Sequence, residues 1–123
     1  VYGPVAYDVA SLLLDARTDM DEALETALYD AYLSARKMQS AEFDEVGFSK
    51  AYAVMAAQRI SKILGIFVRL ARRDGKPQYL RHIPRVSGYL ERNLSHPGLE
   101  DLRAWYDRHL PETKRSMSEA QYT

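Results

Sequence analysis

The amino-acid sequence predicts an all-α fold, a helical bundle, and three observations carry that prediction. Apolar residues recur every three to four positions over most of the chain, which is the period of a helix with one buried face. No segment shows the sustained two-residue alternation that is typical of a half-buried strand. Proline and glycine fall between the periodic segments, where they begin or end helices.

The first helix is predicted to begin at Pro4, to be apolar almost all round, and to end between Asp15 and Asp19. Asp8 is the polar exception in its first turns, where the helix dipole favours a carboxylate. Two interpretations of Asp8 are open. It is either a simple charge at the helix end or an acceptor for backbone donors that lie outside this helix.

The second helix is predicted to begin after Asp19 and to end near Met38. The Asp19 side chain can cap it, and Glu22 three residues later completes a capping box. Apolar residues at three- and four-residue spacing predict one buried stripe along this helix. The stripe comprises Met20, Leu24, Ala27, Leu28, Ala31, Ala35 and Met38.

The third helix is predicted to start after Asp44 and to run to about Arg73. Most of its circumference is apolar, so we expect it to be the central helix of the bundle. Its narrow polar arc is largely cationic, and neighbouring like charges on a helix repel one another. Either carboxylates of the first half, such as Asp15, Asp19 or Asp44, compensate for these charges, or an anionic ligand does. The candidate ligand-binding residues are Gln58, Arg59, Lys62 and Arg69.

Gly75 is a predicted helix stop, and a short helical turn is expected around Tyr79 and Leu80. Pro84 and Pro97 are each predicted to open a further helix, and Pro111 ends regular structure. We therefore expect one helical domain over residues 1–111 and a disordered polar tail over residues 112–123.

Composition excludes several classes of function. The chain has 123 residues and no cysteine, which rules out disulfides, thiol catalysis and thiolate zinc sites. Its three histidines, at 82, 96 and 109, lack the spacing of metal ligands, so we predict no metal site. No uninterrupted apolar run approaches the length of a membrane span, and we expect no membrane partner.

The net charge of zero hides an imbalance along the chain. Residues 1–49 hold 10 acidic and 3 basic residues, whereas residues 50–123 hold 7 acidic and 14 basic residues. We expect the two halves to attract each other and predict no nucleic-acid partner, since that role favours a net basic surface.

Two segments carry a resemblance to a known family: GPVAYDVASLL and AQRISKILGIFVRLARRDGKPQYLRHIPRVSGYL. They resemble the C-terminal region of aminoglycoside phosphotransferase-like kinases. Within that family they resemble in particular the branch of bacterial cell-wall recycling that phosphorylates N-acetylmuramate and N-acetylglucosamine at the anomeric position. The resemblance covers residues 2–111.

The resemblance implies that the chain is a fragment, the C-terminal part of the large lobe of a protein-kinase-like fold. It also implies a cytoplasmic, ATP-dependent enzyme that uses magnesium. The catalytic and metal-binding aspartates of the family lie upstream of the region matched here. We therefore expect no catalytic residue in this chain, no ATP or magnesium bound by it alone, and no activity without the rest of the protein.

The family resemblance also implies roles for individual residues and partners. Asp8 would anchor the backbone of the catalytic loop, and Gln58, Arg59, Lys62 and Arg69 would help to wall the site of a small sugar acceptor, whose lactyl carboxylate is an anionic partner. The missing N-terminal lobe and catalytic segment would pack on this chain. Two alternatives stay open: an aminoglycoside or other small-molecule kinase, and a stand-alone helical protein-interaction module.

Overall fold

A computed structural model describes residues 5–15, 18 and 20–111 of the chain. This described part is all-α and contains no strand, which confirms the predicted fold class. Pro4, Asp19 and the predicted tail lie outside the described residues. The helices are α1 (Val5–Leu13), α2 (Glu22–Gln39), α3 (Glu45–Arg72), α4 (Ile83–Leu94) and α5 (Glu100–His109), with short 3₁₀ helices at Pro77–His82 and Pro97–Leu99.

Helix α3 is central, as predicted, and α1, α4 and the first 3₁₀ helix all pack against it. The α1 contact uses small side chains, since Ala6, Ala10 and Ala56 are almost fully buried. Small residues allow two helix backbones to approach closely. On the α4 side the core is made of larger aliphatic side chains that exclude water. These are Ile60, Leu80, Ile83, Val86, Leu90 and Leu94.

Both ends of α3 form where the sequence predicted them. The Asp44 carboxylate accepts a hydrogen bond of 3.0 Å from the Gly47 backbone N–H and thereby caps the helix start. At the far end Gly75 adopts a φ of 64°, a conformation that is strained for residues with a side chain. This reversal lets the Lys76 N–H donate to the Leu70 carbonyl at 2.9 Å and close the helix end.

The predicted start of α2 was wrong by two residues. The capping residue is Asp21, whose side chain accepts from the Leu24 N–H at 2.7 Å, and the helix begins at Glu22. Asp21 has the extended backbone that a capping residue needs. Acidic residues at both 19 and 21 offered two possible caps, and the geometry at Asp21 selects the second.

The predicted buried stripe of α2 was also wrong. Only Met20, which precedes the helix, is buried, whereas Met38 is 89% exposed and the other five residues of the stripe are exposed as well. The helix instead packs through a different face, which comprises Glu25, Tyr29, Tyr32, Leu33 and Arg36.

An aromatic cluster explains this choice of face. Tyr29 lies edge-on to Tyr52 with a centroid distance of 4.9 Å, and Tyr32 packs on Phe48 at 5.3 Å. Phe43 closes the same cluster against Phe48 at 5.7 Å. Aromatic rings bury more area than the alanines of the predicted stripe, so their burial decides the rotation of the helix.

Helix α3 is also long and apolar enough to cross a membrane, judged by length and composition alone. The core helix of a soluble protein meets the same criteria, and a third of the apolar stretch is buried. Packing against α1, α4 and the first 3₁₀ helix accounts for much of this apolar character.

The last two helices follow the predicted prolines closely. Pro84 lies in the first turn of α4, where its missing N–H leaves no helical hydrogen bond unmade. Pro97 opens a 3₁₀ helix, and α5 begins three residues later at Glu100. The Tyr106 hydroxyl is hydrogen-bonded to the Ser61 hydroxyl and ties α5 to α3.

Candidate functional site

Three of the four predicted ligand-binding residues lie exposed on one side of α3. Gln58, Lys62 and Arg69 occupy positions four and seven residues apart, which share one face of a helix. From Gln58 to Arg69 this cationic face extends about 16 Å along the helix. The structure therefore brings these three side chains to a common, solvent-accessible surface.

The fourth predicted residue, Arg59, has a different environment. It is partly buried, and its guanidinium donates to the Tyr7 hydroxyl at 3.4 Å. The guanidinium carbon also lies 5.9 Å from the centroid of the Tyr7 ring, within reach of a cation–π contact. Its Nε atom is buried and has no hydrogen-bond partner in the part of the chain that the structure describes. Arg59 therefore joins α3 to α1.

Salt bridges within the described residues do not neutralise the exposed cations of α3; Asp19, a predicted partner, lies outside those residues. Across residues 5–15, 18 and 20–111, neither Lys62 nor Arg69 forms an ion pair. The Asp44 carboxylate, a predicted partner, is instead occupied as the cap of α3. Lys62 is thus available to an external anionic group, whereas the Arg69 charge also acts on the Asp74 carboxylate and helps to lower its pKa.

Asp8 lies in the first turn of α1 and is exposed. Its carboxylate sits at the positive end of the helix dipole, which stabilises its charge. An exposed acceptor at this position is accessible to backbone donors that come from outside the described helices.

The sequence analysis missed a concave site between α2, α3 and α4, with a cavity volume of about 380 Å³. Its wall combines carboxylates, hydroxyls, an amide, a guanidinium and an imidazole with two aromatic rings. The lining residues are Glu22, Glu25, Thr26, Tyr29, Ser49, Tyr52, Ala53, Arg92, Asn93, Ser95, His96 and Pro97.

Glu25 is the centre of a hydrogen-bond network in this cavity. Its carboxylate accepts from the Arg92 guanidinium at 2.7 Å and from the Tyr52 hydroxyl at 3.0 Å. Arg92 also donates to the Met20 carbonyl at 3.4 Å and lies 5.1 Å from the centroid of the Tyr89 ring. Burial, followed by the Glu25 charge, raises the pKa of Tyr52 well above its usual 10.0. The network therefore joins α2, α3 and α4.

His96 occupies the other end of the cavity as a helix cap. Its Nδ1 accepts from the Gly98 backbone N–H at 2.9 Å, and its Nε2 lies 3.0 Å from the Ser49 hydroxyl oxygen. Because Nδ1 is an acceptor, the neutral ring carries its proton on Nε2 and donates it to Ser49. Both ring nitrogens are thus used within the fold.

The described residues do not fit a magnesium site. No group of three or more histidine, aspartate or glutamate side chains in this part of the chain could hold a metal ion. Magnesium prefers carboxylate oxygens together with phosphates and water.

Local spacing could not have shown the cavity, because its residues come from helices that are far apart in sequence. Glu25 and Arg92, for example, are separated by 67 residues. The available signal was the charge imbalance between the acidic first half and the basic second half. The Glu25–Arg92 pair is one contact through which these halves attract each other.

Comparison with known proteins gives the same family as the two sequence segments. An N-acetylmuramate/N-acetylglucosamine kinase of Caulobacter vibrioides is 44% identical over 111 residues, which cover 89% of this chain and 30% of the relative. The chain is homologous to the C-terminal part of these kinases. Kinases of the same name from Pseudomonas putida and Neisseria meningitidis are 40% and 38% identical, over 73% and 75% of this chain.

The chain spans less than a third of the length of these curated kinases, between 27% and 30% of each. No protein-family model matches the chain. The similarity to the kinases nevertheless covers most of the helices described above, including α3 with its exposed cationic face.

Proposed function

We propose that this chain is the C-terminal helical part of a cytoplasmic, ATP-dependent amino-sugar kinase of cell-wall recycling. The observation that carries the proposal is the 44% identity over 111 residues to a kinase named for N-acetylmuramate and N-acetylglucosamine. That name favours an amino-sugar acceptor over an aminoglycoside. It also favours an enzyme over a stand-alone interaction module.

In this proposal the chain supports catalysis and does not perform it. Phosphoryl transfer depends on metal ions and basic groups that neutralise charge around the transferred group. The described residues form no such metal site. ATP and magnesium would be held by parts of the polypeptide that pack against this chain, and the chain alone would be inactive.

The exposed face of α3 would form part of the acceptor site. Lys62 and Arg69 are accessible and form no salt bridge within the described residues, so they can meet an anionic group such as the lactyl carboxylate of N-acetylmuramate. Gln58 on the same face would donate or accept a hydrogen bond. Arg59 would orient this face through its contact with Tyr7 on α1.

Asp8 would act at a distance from the sugar. Its exposed carboxylate in the first turn of α1 would accept hydrogen bonds from the backbone of the catalytic loop. Loss of such an acceptor leaves loop donors unpaired at a cost of about 1 to 3 kcal/mol. This would disturb the catalytic geometry without removing a reacting group.

The test of activity uses the full-length protein that contains this chain, at the length of the curated kinases. We expect it to transfer phosphate from ATP to N-acetylmuramate and N-acetylglucosamine, and we expect the present chain alone to show no turnover. An aminoglycoside should be a poor acceptor. Turnover by the isolated chain, or a full-length product without activity on either sugar, would contradict the proposal.

The role of the α3 face is tested by Lys62→Glu and Arg69→Glu in the same full-length protein. Each variant should raise KM for N-acetylmuramate while KM for ATP stays unchanged. The effect should be smaller for N-acetylglucosamine, which lacks the lactyl carboxylate. Arg103→Glu on α5 is a matched charge reversal at an exposed position and should leave both KM values unchanged. Equal effects on sugar and ATP would contradict an acceptor role.

A further inference from the structure

Helix α2 is held on the bundle by much less buried surface than α3 or α4. Of its 18 residues only Leu33 is buried. By contrast, α4 has six buried residues among 12, and α3 has seven among 28. Buried apolar surface is the main force that keeps an element in place, so releasing α2 costs less than unfolding α3 and α4.

The other apolar contacts between α2 and α3 come from side chains that stay partly accessible. The Tyr29 ring lies edge-on to Tyr52 and the Tyr32 ring packs on Phe48, while both α2 tyrosines are only partly buried. The large aliphatic residues between α3 and α4 are almost fully buried, and none of them belongs to α2. Helix α2 can therefore leave while this aliphatic core stays intact.

The Glu25 carboxylate is the polar contact that fastens α2 from inside. It accepts from the Arg92 guanidinium on α4 at 2.7 Å and from the Tyr52 hydroxyl on α3 at 3.0 Å. The Glu25 and Arg92 side chains are 18% and 28% exposed, whereas those of Lys37 and Glu45, the other ion pair of α2, are about half exposed. Water therefore screens the Glu25 pair less, and it is the stronger of the two.

The linker before α2 has an attachment of its own. Met20 is buried, and its backbone N–H donates to the Tyr89 hydroxyl on α4 at 3.0 Å. The same hydroxyl donates to the Thr18 carbonyl at 2.7 Å. These bonds involve no residue of α2, so the linker can stay docked on α4 when α2 leaves.

We propose that α2 is a hinged lid. It opens as one unit from the linker at Met20, while α3 and α4 stay packed, and the Glu25 contact closes it. In the closed state α2 supplies one wall of the cavity, through Glu22, Glu25, Thr26 and Tyr29. Opening removes this wall and exposes the Arg92 side of the cavity to solvent.

Amide hydrogen exchange followed by mass spectrometry tests the lid in the full-length protein that contains this chain. Peptides from α2, α3 and α4 are compared, each corrected for its intrinsic exchange rate. Amides that need only a local opening exchange faster than amides that need the whole fold to unfold. We expect the amides of α2 to exchange at least about tenfold faster than those in the middle of α3 and α4.

The Glu25→Gln variant tests the closing contact. The ion pair exists in the closed state alone, so its loss should speed exchange along the whole of α2 at least about fivefold. Glu22→Gln makes the same change at an exposed position one turn away and should leave the α2 rates within about twofold of the parent protein.

The Ile83→Val variant tests whether α2 opens separately. Ile83 is buried in the core beside α3, and loss of its methyl group weakens a contact that persists when the lid is open. The variant should speed exchange in the middle of α4 about threefold or more and leave the α2 rates within about twofold.

Three results would overturn this proposal. Exchange in α2 as slow as in α3 and α4 would show that α2 does not open before the rest of the fold. Rates in α2 that ignore Glu25→Gln would mean that the helix frays without leaving its place. An equal acceleration of α2 and α4 by Ile83→Val would mean that both exchange through one global unfolding.

Discussion

The Glu25 carboxylate on α2 and the Arg92 guanidinium on α4 form an ion pair of 2.7 Å across 67 residues of sequence. Both side chains are less than one-third exposed, and Tyr52 on α3 donates a second hydrogen bond to the same carboxylate. Because Leu33 is the one buried residue of α2, this pair and the neighbouring aromatic cluster hold the helix on the bundle.

Neutralising Glu25 should therefore destabilise the fold. Glu25→Gln keeps the shape of the side chain but removes the charge that Arg92 faces, and we expect the free energy of unfolding to fall by about 1 to 3 kcal/mol. Glu22→Gln makes the same change one turn away at an exposed position and should stay within about 0.5 kcal/mol of the parent chain. Urea denaturation followed by circular dichroism measures both. Equal losses in the two variants would show that the ion pair contributes nothing specific.

The pH dependence of the free energy of unfolding should report on the ionisation of the Tyr52 hydroxyl. Its folded-state pKa is raised, so above pH 10 the unfolded chain loses the tyrosine proton first. The stabilisation is thus complete below pH 10 and decreases as the pH rises above it. Tyr52→Phe should show a shallower loss of stability between about pH 9 and pH 11.

Tyr79→Phe is the control for this pH experiment, since it removes a partly buried tyrosine hydroxyl elsewhere in the fold. The Tyr79→Phe variant should keep most of the loss of stability that the parent chain shows at alkaline pH. Denaturant unfolding at several pH values gives the slope of the unfolding free energy against pH for each variant. A Tyr52→Phe slope equal to that of the parent would contradict the assignment.

Two glycine substitutions should have opposite effects on the stability of the chain. Gly75 adopts a φ of 64°, so Gly75→Ala forces a side chain into a strained backbone and should cost about 1 to 2 kcal/mol. Gly65 lies inside α3, and an added Cβ there would meet no atom within 4 Å. Gly65→Ala should therefore stabilise the chain by about 0.5 to 1 kcal/mol. Thermal melts of the two variants should move in opposite directions, and a shift of the same sign would be inconsistent with the backbone argument.

Asp8 should matter to activity and not to the stability of this chain. Because its side chain is exposed in the first turn of α1, Asp8→Ala should change the stability of the isolated chain by less than about 1 kcal/mol. In the full-length kinase the same change should lower kcat more than it raises KM, while Asp101→Ala, an exposed carboxylate in the first turn of α5, should leave both unchanged. An unaltered kcat would exclude the anchoring role.

Several features of the fold could be predicted from local chemistry. The start of α3 follows from Asp44, whose short acceptor side chain caps the helix, and its end follows from Gly75. The central place of α3 follows from its broad apolar circumference. These features depend on groups within a few residues of one another, so the printed sequence contains what decides them.

The face on which α2 packs could not be predicted in the same way. Two sets of positions on α2 recur at helical spacing, the alanine and leucine positions and the tyrosine positions. Periodicity alone does not show which set is buried. The rings of Phe43, Phe48 and Tyr52 favour burial of the tyrosine positions. These three rings come together only when the chain has folded. The start of α2 shows the same limit, since Asp19 and Asp21 were equally suitable caps by residue type.

The sequence by itself determined the helical class, the ends of α3, the cationic residues of its exposed face and the kinship with amino-sugar kinases. Tertiary structure decided the rotation of α2, the binding of Arg59 to Tyr7 and the cavity around Glu25 and Arg92. The physical reason is the range of the interactions: caps and turns act between near neighbours, whereas burial and charge pairing depend on which distant segments meet.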